Sequence, residues 1–209
     1  MRWISTLIWA VCCAGAVAAA LKTRVISKRE VTRAEWVILL CAAATGGALG
    51  GWVTSETASL TYQVRLLTAL VCVGAAAAVD LFLRRIPNLC SLILLAVTAV
   101  CTGADLLLKG ETMALISTLL GGLGLLACLS LCRLISRGGI GIGDIKLVST
   151  VGLTLGLYGG LAVLLYAQVA AVLAALALLI TKRAGWKDSM PFAPCLWVGL
   201  LLCLILKTY

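Results

Sequence analysis

The chain has 209 residues, 63% of them hydrophobic and 12% charged, with a formal charge of +9 and no histidine. That composition lies far from a soluble globular domain and marks a membrane protein. Without histidine, Ser-His-Asp and Cys-His nucleophile systems, HExxH zinc proteases and His-ligated haem are all excluded, which leaves carboxylates, lysines and thiols for chemistry.

A helix rises about 1.5 Å per residue and must cross about 30 Å of hydrocarbon, so uncharged runs of roughly eighteen residues or more are the units to count. Residues 3–21 and 36–55 form the first two runs, joined by a short basic loop. Residues 66–79 become a full span only if the helix continues through Asp80 to Leu83, which puts a carboxylate inside a membrane helix. Residues 86–104 and 112–132 follow. The run 147–181 is too long for one crossing, and Gly156, Gly159 and Gly160 offer a place to turn, so it reads as two spans. Residues 189–206 close the set. The sequence thus predicts an all-α polytopic membrane protein of about eight transmembrane helices, two in residues 1–63 and a six-helix core in residues 64–209.

Basic residues are retained on the cytoplasmic side and set orientation. Thirteen of them fall in one set of loops: Lys22, Arg24, Lys28, Arg29 and Arg33; Arg84 and Arg85; Arg133, Arg137 and Lys146; Lys182, Arg183 and Lys187. Only Arg2, Arg65, Lys109 and Lys207 fall on the other side, so both termini are expected outside the cytoplasm. Residues 1–20 resemble a secretory signal peptide, but five positive charges follow the apolar run and only Arg2 precedes it, which reads as a retained anchor. Basic residues scattered between apolar runs point to topology and the lipid bilayer, not to a nucleic-acid partner. The ten cysteines lie almost entirely in apolar runs and form no CxxC pair, so they read as buried small side chains. No metal and no cofactor is expected.

Of the eight acidic residues, Glu30, Glu35 and Asp188 fall in cytoplasmic loops, and Glu56, Asp105 and Glu111 near the opposite surface. Asp80 and Asp144 remain, at similar depth near cytoplasmic helix ends. An ionisable group at such depth is costly unless it faces a partner or a polar cavity, and is a candidate site for that reason. From Asp144 to Gly156 the helix rises only roughly 20 Å, too short to reach both surfaces, so its acidic end is expected below the surface. Two carboxylates a few ångströms apart cannot both ionise; the pair shares a proton, one acting as base and the other as acid in attack on a peptide carbonyl. The structural alternatives are an Asp80–Arg84 pair at i+4 and an Asp144 that caps a helix start. Lys146, two positions beyond Asp144, points to another face and reaches toward head groups.

Gly141-Ile142-Gly143-Asp144-Ile145-Lys146-Leu147 matches the GxGDxKL signature of the type IV prepilin peptidases, a family of GxGD intramembrane aspartyl proteases. Asp80 followed by Ile86-Pro87-Asn88 resembles their other block, and Met190-Pro191-Phe192-Ala193-Pro194 is similar to their Pro-Phe-Gly-Pro segment. The resemblance covers residues 66–206. It implies a six-helix catalytic core, Asp80 and Asp144 as the catalytic pair, support from Gly141, Gly143, Lys146, Pro87 and Asn88, and cleavage of basic leaders from prepilin-like precursors at the cytoplasmic face of the plasma membrane. Ala193 and Cys195 replace the family's usual Gly and Phe. Larger members carry two CxxC pairs between their first spans, associated with N-methylation, where this chain has only residues 22–35, so peptidase without methyltransferase activity is expected.

The remaining glycines have structural readings. Those before Asp144 form no GxGxxG and lack a GKS ending, which favours a tight turn or hinge over a nucleotide site, and that segment is the candidate mobile part for substrate entry. Gly152, Gly156 and Gly160 suit close helix contacts. Pro87 ends an irregular corner and Asn88 is placed to cap the next helix. The competing functions are a GxGD protease with another membrane substrate such as a preflagellin, a proton- or cation-coupled small transporter, and a helix-packing subunit without chemistry.

Overall fold

The computed structural model describes residues 59–182 and 190–208; the two N-terminal helices expected in residues 1–63 lie outside the described residues, apart from the segment that begins at Ser59. Among the described residues there are five helices and no strand: α1 Leu60–Leu83, α2 Asn88–Lys109, α3 Thr112–Ile135, α4 Ile142–Ile180 and α5 Ala193–Ile205. The first four are long and apolar enough to cross a membrane. The chain is an all-α membrane protein.

Helix α1 opens at Ser59, whose hydroxyl accepts the Tyr62 amide, and runs through Asp80 to Leu83, as the sequence predicts. It is the central helix. Leu66, Ala69, Val73, Ala76 and Val79 are fully buried against its neighbours. Helix α2 packs on α1, α3 packs on α4, and α5 closes against α1 and α4.

The expected core of six helices becomes five, because residues 142–180 form one helical element of 39 residues with a single break at Gly156. Gly156 has φ 77° and ψ −173°, a conformation open to glycine and strained for any other residue. A Cβ on Gly160 would lie 2.8 Å from Gly152 Cα. Eight residues of straight helix would separate those positions by about 12 Å, so the chain reverses at Gly156. The Ser117 hydroxyl of α3 accepts the Leu157 amide just past the break, at 3.4 Å, and so takes up a donor that the break releases. On the near side of the turn α3 and α4 touch backbone to backbone, since a Cβ on Gly152 would sit 2.6 Å from the Gly121 carbonyl oxygen. The predicted turn is therefore real, as a fold within one helical element and not as a loop between two. The last expected span, residues 189–206, is observed as a helix of 13 residues starting at Ala193, too short by itself to cross.

Two helix ends depart from the predicted spans for one electrostatic reason. Arg65 and Asp105 were expected outside the apolar runs, yet both are buried inside helices, at 6% and 3% exposure. Asp105 accepts from Lys109 Nζ at 2.7 Å and from Thr61 Oγ1 at 2.7 Å, and Arg65 Nη2 lies 3.8 Å from its other oxygen. Arg65 Nη1 donates to Thr102 at 3.2 Å, and its guanidinium lies over the Tyr62 ring. These partners offset the cost of placing charge in an apolar bundle, so α1 extends back to Leu60 and α2 on to Lys109.

Asp105→Leu alone is expected to lower stability by about 2–3 kcal/mol, because it strands Arg65 in a buried site. The double change Arg65→Met with Asp105→Leu should cost less than the two single changes added together. Thermal unfolding in detergent measures this, and strictly additive losses would show that the two side chains do not interact.

Candidate active site

Asp80 sits one turn before the C-terminus of α1, about 22 Å of helix rise from Arg65 and so at the opposite end of the bundle from the Asp105 cluster. Its side chain is 6% exposed. Asp80 Oδ2 accepts the backbone N–H of Ala193 at 3.1 Å, and the Phe192 amide is turned toward the same carboxyl. These are the first amides of α5, where Pro194 stands at the second helical position with its fixed φ suited to a helix start. The carboxylate therefore takes the place of a capping side chain for α5. Because the contact comes from the Ala193 backbone, the alanine that replaces the usual glycine leaves it intact. Cys195 lies two residues beyond Ala193, buried and within electrostatic reach of Asp80.

Asp144 is the third residue of α4, with Gly141 at the N-cap position. Its carboxyl reaches back to the Gly141 amide, which is the side-chain half of a capping box. The capping alternative is thus part of the answer, but it does not separate Asp144 from its candidate partner: Asp144 and Asp80 lie within electrostatic reach of each other. A Cβ on Gly141 would stand 2.6 Å from Asp144 Oδ2, so only glycine leaves room for the carboxyl where it is. Gly143 has a different task. A Cβ there would come 3.1 Å from Ile86 Cβ, so the missing side chain lets the corner after α1 close onto the start of α4. The segment that brings α4 to this point is itself organised: Arg133 Nη1 donates to the Ile140 carbonyl, the Gly138 amide to the Arg133 carbonyl and the Gly139 amide to Ser136 Oγ. Arg137 and Gly138 both take positive φ in the turn.

The other motif residues are placed less centrally. Pro87, at φ −65° and ψ 124°, occupies the N-cap position of α2, and no side chain caps that helix. Asn88 is its first helical residue, so the expectation that Asn88 caps the helix is corrected: proline's fixed φ already sets the turn into α2. Lys146 is exposed on the side of α4 facing away from Asp144, as its spacing predicts.

The sequence also hides two partners of Asp80, the Phe192 and Ala193 amides. The usable signal was Pro194, which marks a helix start and hence free amides. No group of three or more potential metal ligands occurs among the described residues.

The described residues thus form an apolar helical bundle in which two carboxylates from different helices lie within electrostatic reach at one end. The model of the type IV leader peptidase family matches residues 66–180, more than half of the chain. The protein belongs to that family and is a peptidase. Comparison with curated proteins and with solved structures returns no match.

Gly141→Ala is expected to push the Asp144 carboxyl off its amide and lower peptide hydrolysis by roughly 10²-fold, the scale of a misplacement near 1 Å. The thermal midpoint should change little, since position 141 is exposed. Unchanged hydrolysis would show that this glycine does not set the carboxyl's position.

Proposed function

We propose that this peptidase is of the aspartic type, with Asp80 and Asp144 as its catalytic pair, and that it removes short basic leaders from prepilin-like membrane precursors at the cytoplasmic face of the plasma membrane. The observation that carries the reading is the convergence of the two acids: they come from sequence blocks 64 positions apart, at opposite ends of two different helices, within the region the family model matches. Their shared position at one end of the bundle supports a cleavage site over a transport pathway, which would need polar groups linking both surfaces.

In this mechanism one carboxylate takes a proton from water as the water oxygen attacks the scissile carbonyl carbon. The protonated partner donates to the carbonyl oxygen, and the tetrahedral intermediate collapses with cleavage of the C–N bond as the leaving amine takes a proton. The amides of Phe192 and Ala193 orient Asp80, and that of Gly141 orients Asp144, so neither carboxyl has to be ordered when substrate arrives. A precursor with a basic leader and an apolar helix suits the charge asymmetry of the chain: the leader stays on the side rich in Lys and Arg loops, and its junction with the helix falls near the depth of both acids.

The test is cleavage of prepilin-type and preflagellin-type peptides by the full-length protein in detergent. Asp80→Asn and Asp144→Asn should each abolish hydrolysis while the protein stays folded, as judged by circular dichroism and gel filtration. Normal cutting by either variant removes the paired-acid mechanism, and a preference for the preflagellin peptide reassigns the substrate.

Supplying a methyl donor in the same assay addresses the second expectation. The sequence has no CxxC pair, and the product's new N-terminus should stay unmethylated by mass spectrometry. A mass gain of one methyl group would refute the assignment of peptidase activity alone.

A further inference from the structure

A cleft of about 610 Å³ lies between α2, α3 and the first half of α4, open to the side of the bundle. Leu92 and Leu95 of α2, Leu123 and Leu126 of α3 and Leu153 of α4 form its apolar walls. Its polar groups gather at the end nearest the carboxylates, where Asn88, Ser91, Lys146 and Ser149 line it. The first half of α4 presents Lys146, Ser149, Thr150 and Leu153 to the cleft. At 100° per residue these centre on the face of α4 opposite Asp144, so an occupant of the cleft does not reach that carboxyl. The cleft is therefore not where the scissile bond sits.

Its dimensions and charge narrow what does fit. From Asn88 to Leu95, and from Lys146 to Leu153, the lining runs for about 10 Å of helix rise, within the roughly 15 Å depth of one leaflet. Lys146 supplies a cation at the polar end, and no acidic residue lines the cleft. Asn88 and Leu89, also in the lining, open α2, whose start has no side-chain cap and so presents donors to an anion. A cation and helix amides at the interface, above a leucine-walled slot one leaflet deep, complement an anionic head group joined to an acyl chain.

We propose that this cleft binds one acyl chain of an anionic phospholipid, with the phosphate held between Lys146 and the start of α2. The bound lipid fills the space that the cleft leaves between α2, α3 and the first half of α4. The site depends on neither the identity of the substrate nor the paired-acid chemistry.

The experiment is native mass spectrometry of the full-length protein, delipidated in detergent and titrated with phosphatidylglycerol or phosphatidylcholine of matched chains. Wild type should retain phosphatidylglycerol in preference. Lys146→Gln should weaken that binding roughly fivefold, the effect of one basic side chain on an anionic lipid, leave phosphatidylcholine unchanged, and be rescued by Lys146→Arg. Leu126→Trp, at a side chain 40% exposed, should fill the slot and weaken both lipids without unfolding the protein. Equal retention of both lipids by wild type, or an unaltered preference in Lys146→Gln, overturns the proposal. A photoreactive side chain at position 126 should couple to the lipid, and coupling to a substrate peptide or to the chain's own residues 1–58 would assign the cleft to that occupant instead.

Discussion

Asp144 reaches the level of Asp80 because α4 does not run straight through the bilayer. The left-handed φ of Gly156 turns the chain back on itself, so residues 142–155 rise only about 20 Å and the start of the helix, with Asp144 half-buried, comes within electrostatic reach of Asp80. Such a reversal is tolerated at membrane depth only where protein covers it. Here α3 does so, with Ser117 bonded to the amide beyond the break and Gly121 packed on Gly152. Between helices in lipid there is little hydrophobic drive, and close backbone packing through small residues supplies the attraction instead.

Charge follows the same logic at both ends of the bundle. In a solvent that hydrates nothing, each buried ionisable group must find its partner within the protein. At one end Asp105 gathers Arg65, Lys109 and Thr61 and ties α1 to α2. At the other, Asp80 accepts backbone amides and lies within electrostatic reach of Arg84, the i+4 partner the sequence offered, while Asp144 meets one amide and the field of Asp80. The contrast matters: the Asp105 carboxylate is hydrogen-bonded to one cation and close to a second, whereas the hydrogen bonds to Asp80 and Asp144 come from backbone amides. The chemistry proposed for the chain rests on the second arrangement.

Much of this was legible from residue spacing. Long apolar runs marked the membrane helices, the continuation through Asp80 followed from the length a span requires, and the glycines after residue 155 announced a turn. What misled was the rule that a charge ends a span. Applied to Arg65 and Asp105, it cut two helices short, because a sequence read one residue at a time does not reveal that a carboxylate on α2 is neutralised by a guanidinium on α1, 40 positions earlier. The count of six core helices failed for a related reason: Gly156 bends a helical element without unwinding it into a loop.

Local chemistry alone therefore determined that this is a helical membrane protein, that two acids lie at helix ends, and that glycine stands at 141, 143 and 156. Only the tertiary structure decided what those facts mean. Gly141 is empty space for a carboxyl, Gly143 is the contact surface for Ile86, and the amides that hold Asp80 come from a helix more than a hundred residues away. Covalent sequence specifies which groups exist, but in a bundle the energy of a buried charge depends on what other helices bring beside it, and that is settled by packing.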